Sequence, residues 1–286
     1  MLKNQYDYII CGGGASGLLM AYRICNDPYF KDRTLLLIEK DSKDSNDRTW
    51  CFWESGEGDL ETMVHKTWNH AYFNADDFEM DFSLQPFRYK MIRSLDFYQS
   101  MNNKLAEFDQ LTRIKASVSF IEDGWVTTEV QSFQSSKVFS SIYNPKSLYQ
   151  QKKYPVLLQH FVGQVVQTQK PCFDPDKIEF MNFNVPQKGN TRFMYVLPLG
   201  PNKALLEYTL FSQNALQRKE YSDAIADFLK NLPTGGYEIL EEEEGKIPMT
   251  CYRFDLKNSS KLLHIGTAGG WTKPSTGYTF RRINEK

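Results

Sequence analysis

Three glycines near the N-terminus have the spacing that lets a chain bind the pyrophosphate of a dinucleotide. Gly12 allows a tight turn, Gly14 lets the backbone approach the phosphates, and Gly17 lets a helix pack closely on the preceding strand. The helix is expected to begin at Ala15 and Ser16, so that their backbone N–H groups and the helix dipole face the negative charge. The segment Gly12–Gly17 therefore predicts a dinucleotide-binding turn.

An acidic residue follows this turn at the distance that such a site requires. The apolar run that ends in Glu39 predicts a second strand, parallel to the one before Gly12. At the end of that strand the Glu39 carboxylate is expected to accept hydrogen bonds from ribose hydroxyls and to repel a 2′-phosphate.

A second glycine-rich segment lies close to the C-terminus. Lys261–Gly277 predicts a buried strand, a turn containing Gly266, Gly269 and Gly270, and then a helix beginning near Pro274, with Gly277 in its first turn. Two such elements far apart in the sequence suit a long cofactor that is held at both ends. FAD has that length, and we therefore expect FAD.

The composition excludes several other classes of function. The 286 residues carry 34 basic and 35 acidic side chains, so no net field attracts nucleic acid. Five scattered cysteines without a Cys-x-x-Cys pair fit a reducing cytosol, and the four histidines do not cluster at metal-ligand spacing. No apolar run approaches the ~18 residues of a transmembrane helix.

Alternating polarity and turn residues indicate the elements between the two glycine segments. Trp68–Phe73 and Phe78–Leu84 predict antiparallel strands, and Ala116–Val130 predicts a hairpin. Ser222 is expected to cap a helix that ends near Leu229. The run Glu241–Glu244 predicts a solvated surface segment.

Four segments resemble the lycopene cyclase family of carotenoid biosynthesis, among the FAD-dependent hydroxylase-like flavoproteins. They are the glycine fingerprint with Glu39, Asp47–Trp53, Leu205–Thr209 and Gly266–Tyr278. The resemblance extends from about Tyr6 to Phe280. It implies an α/β fold with a Rossmann-like, three-layer FAD-binding domain built on a parallel sheet (1–75, 92–153 and 255–286). A smaller, mainly antiparallel substrate domain (76–91 and 154–254) would be interleaved with it.

The resemblance implies an isomerase that converts the ψ-ends of lycopene into β-ionone rings without net redox change. Reduced FAD, with NAD(P)H as its reductant, would stabilise a carbocation, and Glu207 would be the required acid. Burial and a nearby flavin anion would raise the pKa of Glu207. Family members commonly carry a second acid directly after it, where this chain has Tyr208.

The same resemblance suggests an aromatic substrate cavity. Trp50, Phe52 and Trp53 are candidates to line it and to stabilise a cation through their ring faces, although packing in the core is an equal alternative for each. A chain that acts on lycopene is expected to be cytoplasmic and to contact the membrane surface peripherally.

Two other functions remain open from the sequence. One is an FAD-dependent monooxygenase of the same fold, although such enzymes usually have Gly-Asp where this chain has Gly266-Thr267. The other is a non-catalytic flavin- or carotenoid-binding protein. Family members continue well past the C-terminal glycine motif, so we expect weaker flavin retention in this chain than in longer relatives.

Overall fold

The computed structural model describes residues 2–285, which form seventeen β-strands and five α-helices. The strands are β1 (Gln5–Cys11), β2 (Leu35–Glu39), β3 (Thr49–Glu54), β4 (Lys66–Trp68), β5 (His70–Ala75), β6 (Phe78–Ser83), β7 (Arg88–Arg93), β8 (Leu111–Lys115), β9 (Val118–Glu122), β10 (Trp125–Thr128), β11 (Ser132–Ser140), β12 (Leu157–Thr168), β13 (Lys177–Asn182), β14 (Arg192–Gly200), β15 (Lys203–Ser212), β16 (Tyr237–Met249) and β17 (Leu262–His264). The helices are α1 (Ala15–Asn26), α2 (Ser94–Leu105), α3 (Lys146–Gln150), α4 (Arg218–Lys230) and α5 (Phe280–Glu285).

The chain divides into two units, each built from discontinuous segments. The first unit comprises Met1–Ser45, Leu95–Pro155 and Thr250–Lys286, and the second comprises Asn46–Ser94 and Val156–Met249. The sequence analysis assigned residues 46–75 to the first unit. They belong with the second, because β3 and β4 pair with β7 and because β5 pairs with β13.

The first unit contains a seven-stranded mixed sheet in the order β8-β2-β1-β11-β10-β9. β8, β2, β1 and β11 are parallel, whereas β9 and β10 form the predicted antiparallel hairpin. β17 pairs in parallel with the end of β11. The first four residues of β2 are fully buried, as expected of a parallel strand covered on both faces. The α/β fold class predicted from the sequence is confirmed.

The second unit contains a mainly antiparallel sheet in the order β16-β12-β15-β14-β13-β5-β6, with β13 and β5 parallel. Helix α4 packs on one face of this sheet against the core side chains Leu206, Tyr208 and Leu210. The three-stranded sheet β3-β7-β4 contributes Tyr89 and Met91 to a separate core with Leu205. We call the side of the large sheet that packs against α4 the α4 face, and the side that packs against the β3-β7-β4 sheet the Glu207 face.

Two predicted helix starts are wrong. The chain from Pro274 to Thr276 forms a turn, and α5 begins only at Phe280. Gly277 has φ +72°, in the left-handed region, which a right-handed helix cannot contain. Ser222 does not cap α4 but lies inside it, because the helix begins one turn earlier, at Arg218.

No helix in the described part of the chain, residues 2–285, is long and apolar enough to cross a membrane.

Candidate functional site

The turn after β1 has the geometry that the glycine pattern predicts. Gly12 has φ +99° and donates its N–H to the Ile38 carbonyl at 2.8 Å. A Cβ on Gly17 would lie 1.8 Å from the Gly12 carbonyl oxygen, so only glycine lets α1 pack this closely. A Cβ on Gly14, the N-cap of α1, would meet no atom within 4 Å. The N-terminus of α1 beginning at Ala15 is therefore open to a ligand.

Glu39 is fixed beside this turn by two backbone groups. Its carboxylate accepts the N–H of Gly13 and, at 2.9 Å, the N–H of Asp41. A cavity of about 240 Å³ opens here, and its lining includes Gly13, Glu39, Lys43 and Arg113. The carboxylate is thus held in a defined orientation at the edge of a cavity, with lone pairs left for ribose hydroxyls.

The second glycine segment meets the first within the same unit. Gly266 has φ +61°, and a Cβ on it would lie 2.1 Å from the Ser16 hydroxyl at the start of α1. Gly269 and Gly270 are equally constrained, since a Cβ on them would lie 2.3 Å from the His264 carbonyl oxygen and 2.8 Å from the Phe254 ring. Gly266 is thereby brought beside Ser16 from a distant part of the sequence, whereas Gly277 follows the turn that contains Pro274.

These features fit a dinucleotide. They combine an open helix N-terminus, two glycines (Gly17 and Gly266) at which a larger residue would clash with the turn or with the start of α1, and a fixed acid at Glu39.

In the second unit, Glu207 lies in a register row that crosses four strands. Tyr195 of β14, Glu207 of β15, Gly163 of β12 and Glu243 of β16 are direct cross-strand partners. Directly paired residues project to the same face of an antiparallel sheet. Gly163, the residue between the two glutamates in this row, contributes no side chain to the Glu207 face.

Glu207 is a half-buried carboxyl whose environment favours the protonated form. Burial, followed by the charge of Glu243, raises its pKa to about 8, although the Thr209 hydroxyl donates a hydrogen bond to it at 2.7 Å. At neutral pH this side chain therefore carries a proton that it can donate.

Glu243 belongs to the acidic run that the sequence analysis placed on a solvated surface, and for this residue that prediction is wrong. β16 alternates, so Glu242 and Glu244 face solvent and pair with Arg218, whereas Glu241 and Glu243 turn to the Glu207 face. The Thr49 hydroxyl donates to the Glu243 carboxylate at 2.8 Å. Burial nevertheless raises the pKa of Glu243 above its usual range.

Tyr208 lies on the opposite side from Glu207. It is buried in the α4 core, and its hydroxyl accepts a hydrogen bond from Arg192 at 3.4 Å. Because adjacent side chains of a strand project to opposite faces, an acid at position 208 would not lie beside Glu207.

The three aromatic candidates on β3 do not share one side of the strand. Trp53 packs on the Glu207 face, 4.7 Å from the Tyr89 ring and 5.2 Å from the Phe180 ring between centroids. Trp50 and Phe52 project from the other side of β3, as alternation requires. Other rings lie nearer to Glu207 along the sheet: Tyr195 is its cross-strand partner, and Phe193 packs 5.0 Å from Tyr195.

Sequence reasoning missed Glu243, Thr49, Gly163 and Tyr195. No local signal marked Glu243, because four identical glutamates show no alternation of polar and apolar residues. Register across four strands has no local signature, so the pairing of Glu243 with Gly163 was not accessible. Within residues 2–285, no group of three or more His, Cys, Asp or Glu side chains could hold a metal ion.

Comparison with solved structures defines the class to which this fold belongs. A geranylgeranyl bacteriochlorophyll reductase-like protein from Thermoplasma acidophilum superimposes with a TM-score of 0.72 at 14% identity, over 99% of this chain and 76% of that one. A flavin-dependent brominase gives 0.64 at 14% identity, over 98% and 76%. A probable FAD-dependent monooxygenase from Pseudomonas aeruginosa gives 0.62 at 13% identity, over 98% and 82%. The fold is that of FAD-dependent oxidoreductases, monooxygenases and halogenases.

Within that class the sequence identifies the family. The model of the family described as lycopene cyclase protein matches residues 7–285, and the chain belongs to this family. It is similar to a lycopene beta-cyclase of Pantoea ananas, at 24% identity over 97% of this chain and 72% of that protein. A lycopene beta-cyclase of Paracoccus sp. is 28% identical over 42% of this chain and 32% of its own length.

Proposed function

We propose that this chain is a lycopene beta-cyclase that closes the ψ-ends of lycopene into β-ionone rings. The observation that carries the proposal is Glu207, a half-buried carboxyl whose pKa is raised by burial and by Glu243 to about 8, in a chain of the lycopene cyclase family. Glu207 would be the catalytic acid.

The reaction needs an acid but no nucleophile. Glu207 donates its proton to the terminal double bond, a neighbouring double bond attacks the resulting carbocation and closes the ring, and a ring carbon then returns a proton to the Glu207 carboxylate. One proton enters and one leaves, so neither protons nor electrons are consumed overall. The faces of aromatic rings beside Glu207, such as that of Tyr195, attract a positive charge in an apolar setting.

We further propose FAD as the cofactor. The open N-terminus of α1 at Ala15 and Ser16 would hold the pyrophosphate, Glu39 would hold a ribose, and Gly266 would let the second turn lie directly against Ser16. When bound in its reduced form, with NAD(P)H as the electron donor, the flavin supplies negative charge that stabilises a cation. Because lycopene is a membrane hydrocarbon, a peripheral contact with the membrane forms part of the proposal.

The purified protein should be incubated with lycopene, FAD and a reductant, with and without oxygen. We expect cyclic product under anaerobic conditions, with no NADPH consumed per turnover. Oxygenated product formed only in air would instead indicate a monooxygenase. Bound flavin or carotenoid with neither product would indicate a binding protein.

A further inference from the structure

The reaction proposed above uses Glu207 as the acid but gives no role to Glu243, which lies in the same register row. The two residues lie on either side of Gly163 in one register row, and each is bound by a threonine hydroxyl, Thr209 on Glu207 and Thr49 on Glu243. A Cβ on Gly163 would lie 3.1 Å both from Cγ of Glu243 and from Cδ1 of Leu205, so these two side chains extend into the space that a side chain at position 163 would need.

The surroundings of the two acids are unequal. The charges of Arg93 on β7 and of Arg48 act on Glu243 and lower its pKa, as does the Thr49 hydroxyl, whereas burial and Glu241 raise it. Glu207 has no cation among the groups that act on it, only Thr209 and the negative Glu243. Cys51 of β3 also faces both acids, and burial together with their charges keeps the pKa of its thiol well above the usual range. Cys51 is therefore neutral and adds no charge.

An unequal pair of carboxyls separates into one that holds a proton and one that does not. Both carboxyls accept a threonine hydroxyl, so the difference lies in the cations: the member near Arg93 and Arg48 is the better carboxylate, and the member without a cation is the better acid. Here those members are Glu243 and Glu207, respectively.

We propose that Glu243 is a positioning residue for Glu207: its carboxylate, held by Thr49 across the space left by Gly163, keeps the proton on Glu207 at neutral pH. Glu243 itself transfers no proton to the substrate. The use of this proton in cyclisation rests on the proposed function. The effect of the Glu243 carboxylate on the protonation of Glu207 does not.

The test follows the protonated carboxyl of Glu207 directly, by infrared difference spectroscopy of the full chain across a pH series. The Glu207 band is assigned by its loss in Glu207→Gln. In Glu243→Gln, which removes the charge but keeps the shape, we expect the titration of this band to move about one pH unit lower or more. If cyclisation is found, the alkaline limb of its pH profile should move by the same amount.

Glu242→Gln is the matched control, because Glu242 is the next residue on β16 but faces Gln164 and Arg218 on the other side. We expect the Glu207 titration in this variant to stay at the parent position. If Glu243→Gln also leaves it there, the proposal is overturned. Absence of cyclisation in the parent would contradict the proposed function alone, because the infrared titration does not require turnover.

Thr49→Val provides a second route should Glu243→Gln fold poorly. It keeps the volume and removes the hydroxyl that favours the Glu243 carboxylate. The Glu207 band should again titrate at lower pH, by less than in Glu243→Gln. A titration unchanged from the parent in this variant would likewise count against the proposal.

Discussion

At the scale of single residues, Glu207 is the side chain on which the proposed chemistry depends. Glu207→Gln removes the transferable proton while keeping the size of the side chain and a hydrogen-bonding partner for Thr209. We expect cyclisation to be abolished and bound flavin to be retained, because the residues proposed to bind the flavin belong to the other unit. Product analysis and the flavin absorbance of the purified variant measure the two outcomes. Retained cyclisation would remove Glu207 from the role of acid.

The same residue makes stability depend on pH. Folded Glu207 keeps its proton up to about pH 8, whereas in the unfolded chain it loses it near its ordinary value of 4.5. Between these values the native state binds more protons than the unfolded state, so the free energy of unfolding falls as the pH rises. The parent should thus lose stability relative to Glu207→Gln from about pH 5 to about pH 8, by at most about 1.4 kcal/mol per pH unit. Urea unfolding of both proteins across this range measures the difference; parallel curves would contradict it.

The residue scale also shows how far sequence reasoning reaches. Glu207 was predicted as the acid from a family motif and remains a prediction, whereas alternation along the strand correctly separated it from Tyr208. Glu243 was assigned to a surface because four consecutive acids have the composition of an exposed segment. Its environment depends on its cross-strand partner Gly163 in β12 and on Thr49. Both lie too far away in the sequence for a local pattern to include them.

At the scale of elements, two glycines of the β1–α1 turn allow an effect on flavin binding to be distinguished from an effect on stability. Ala at Gly17 would place its Cβ 1.8 Å from the Gly12 carbonyl oxygen, and we expect a loss of about 3 kcal/mol or more. Ala at Gly14 meets no neighbour, and Gly14 has φ −77°, so stability should change by no more than about 1 kcal/mol.

The two variants should nevertheless both lose flavin. In Gly14→Ala the added methyl group occupies the place where the backbone is expected to approach the pyrophosphate, and we expect flavin affinity to fall about tenfold or more. Thermal unfolding and flavin titration of each variant are the measurements. If Gly14→Ala bound flavin as the parent does, the turn would not be the pyrophosphate site.

Element prediction from the sequence succeeded where the signal is local. β2 ends at Glu39 as predicted, and β1, α1 and the β9–β10 hairpin occur where apolar periodicity and glycine indicated them. The start of α5 was misplaced, because Pro274 is as compatible with a turn as with the first residue of a helix, and Gly277 takes a left-handed φ.

At the scale of the whole molecule, both units are assembled from separated stretches of chain. The sheet of the second unit takes β12–β16 from one stretch and β5 and β6 from another, with β5 on the edge of β13. A fragment of residues 156–249 therefore lacks two strands of its sheet as well as the whole β3-β7-β4 sheet that packs on the Glu207 face. We expect this fragment not to unfold cooperatively, in contrast to the full chain.

Adding back the missing stretch is the control. Residues 46–94, produced with the fragment, supply β3–β7 and should restore a cooperative thermal transition monitored by circular dichroism. A fragment of residues 156–249 that melted cooperatively alone would show that its sheet does not need β5 and β6. The domain bounds inferred from sequence missed this dependence, since strand pairing between distant stretches leaves no mark in composition.

The acidic run on β16 has a consequence for comparing related chains. Four identical residues in succession give a sequence alignment no means of deciding which glutamate corresponds to which, and a shift by one position scores equally well. The structure supplies that means: Gly245 lies opposite Phe161, where a Cβ would come 2.3 Å from the ring, and it lies two residues beyond Glu243. A counterpart of Glu243 in another member of the family is therefore to be located by counting back from this glycine, and not by finding an acid in the run.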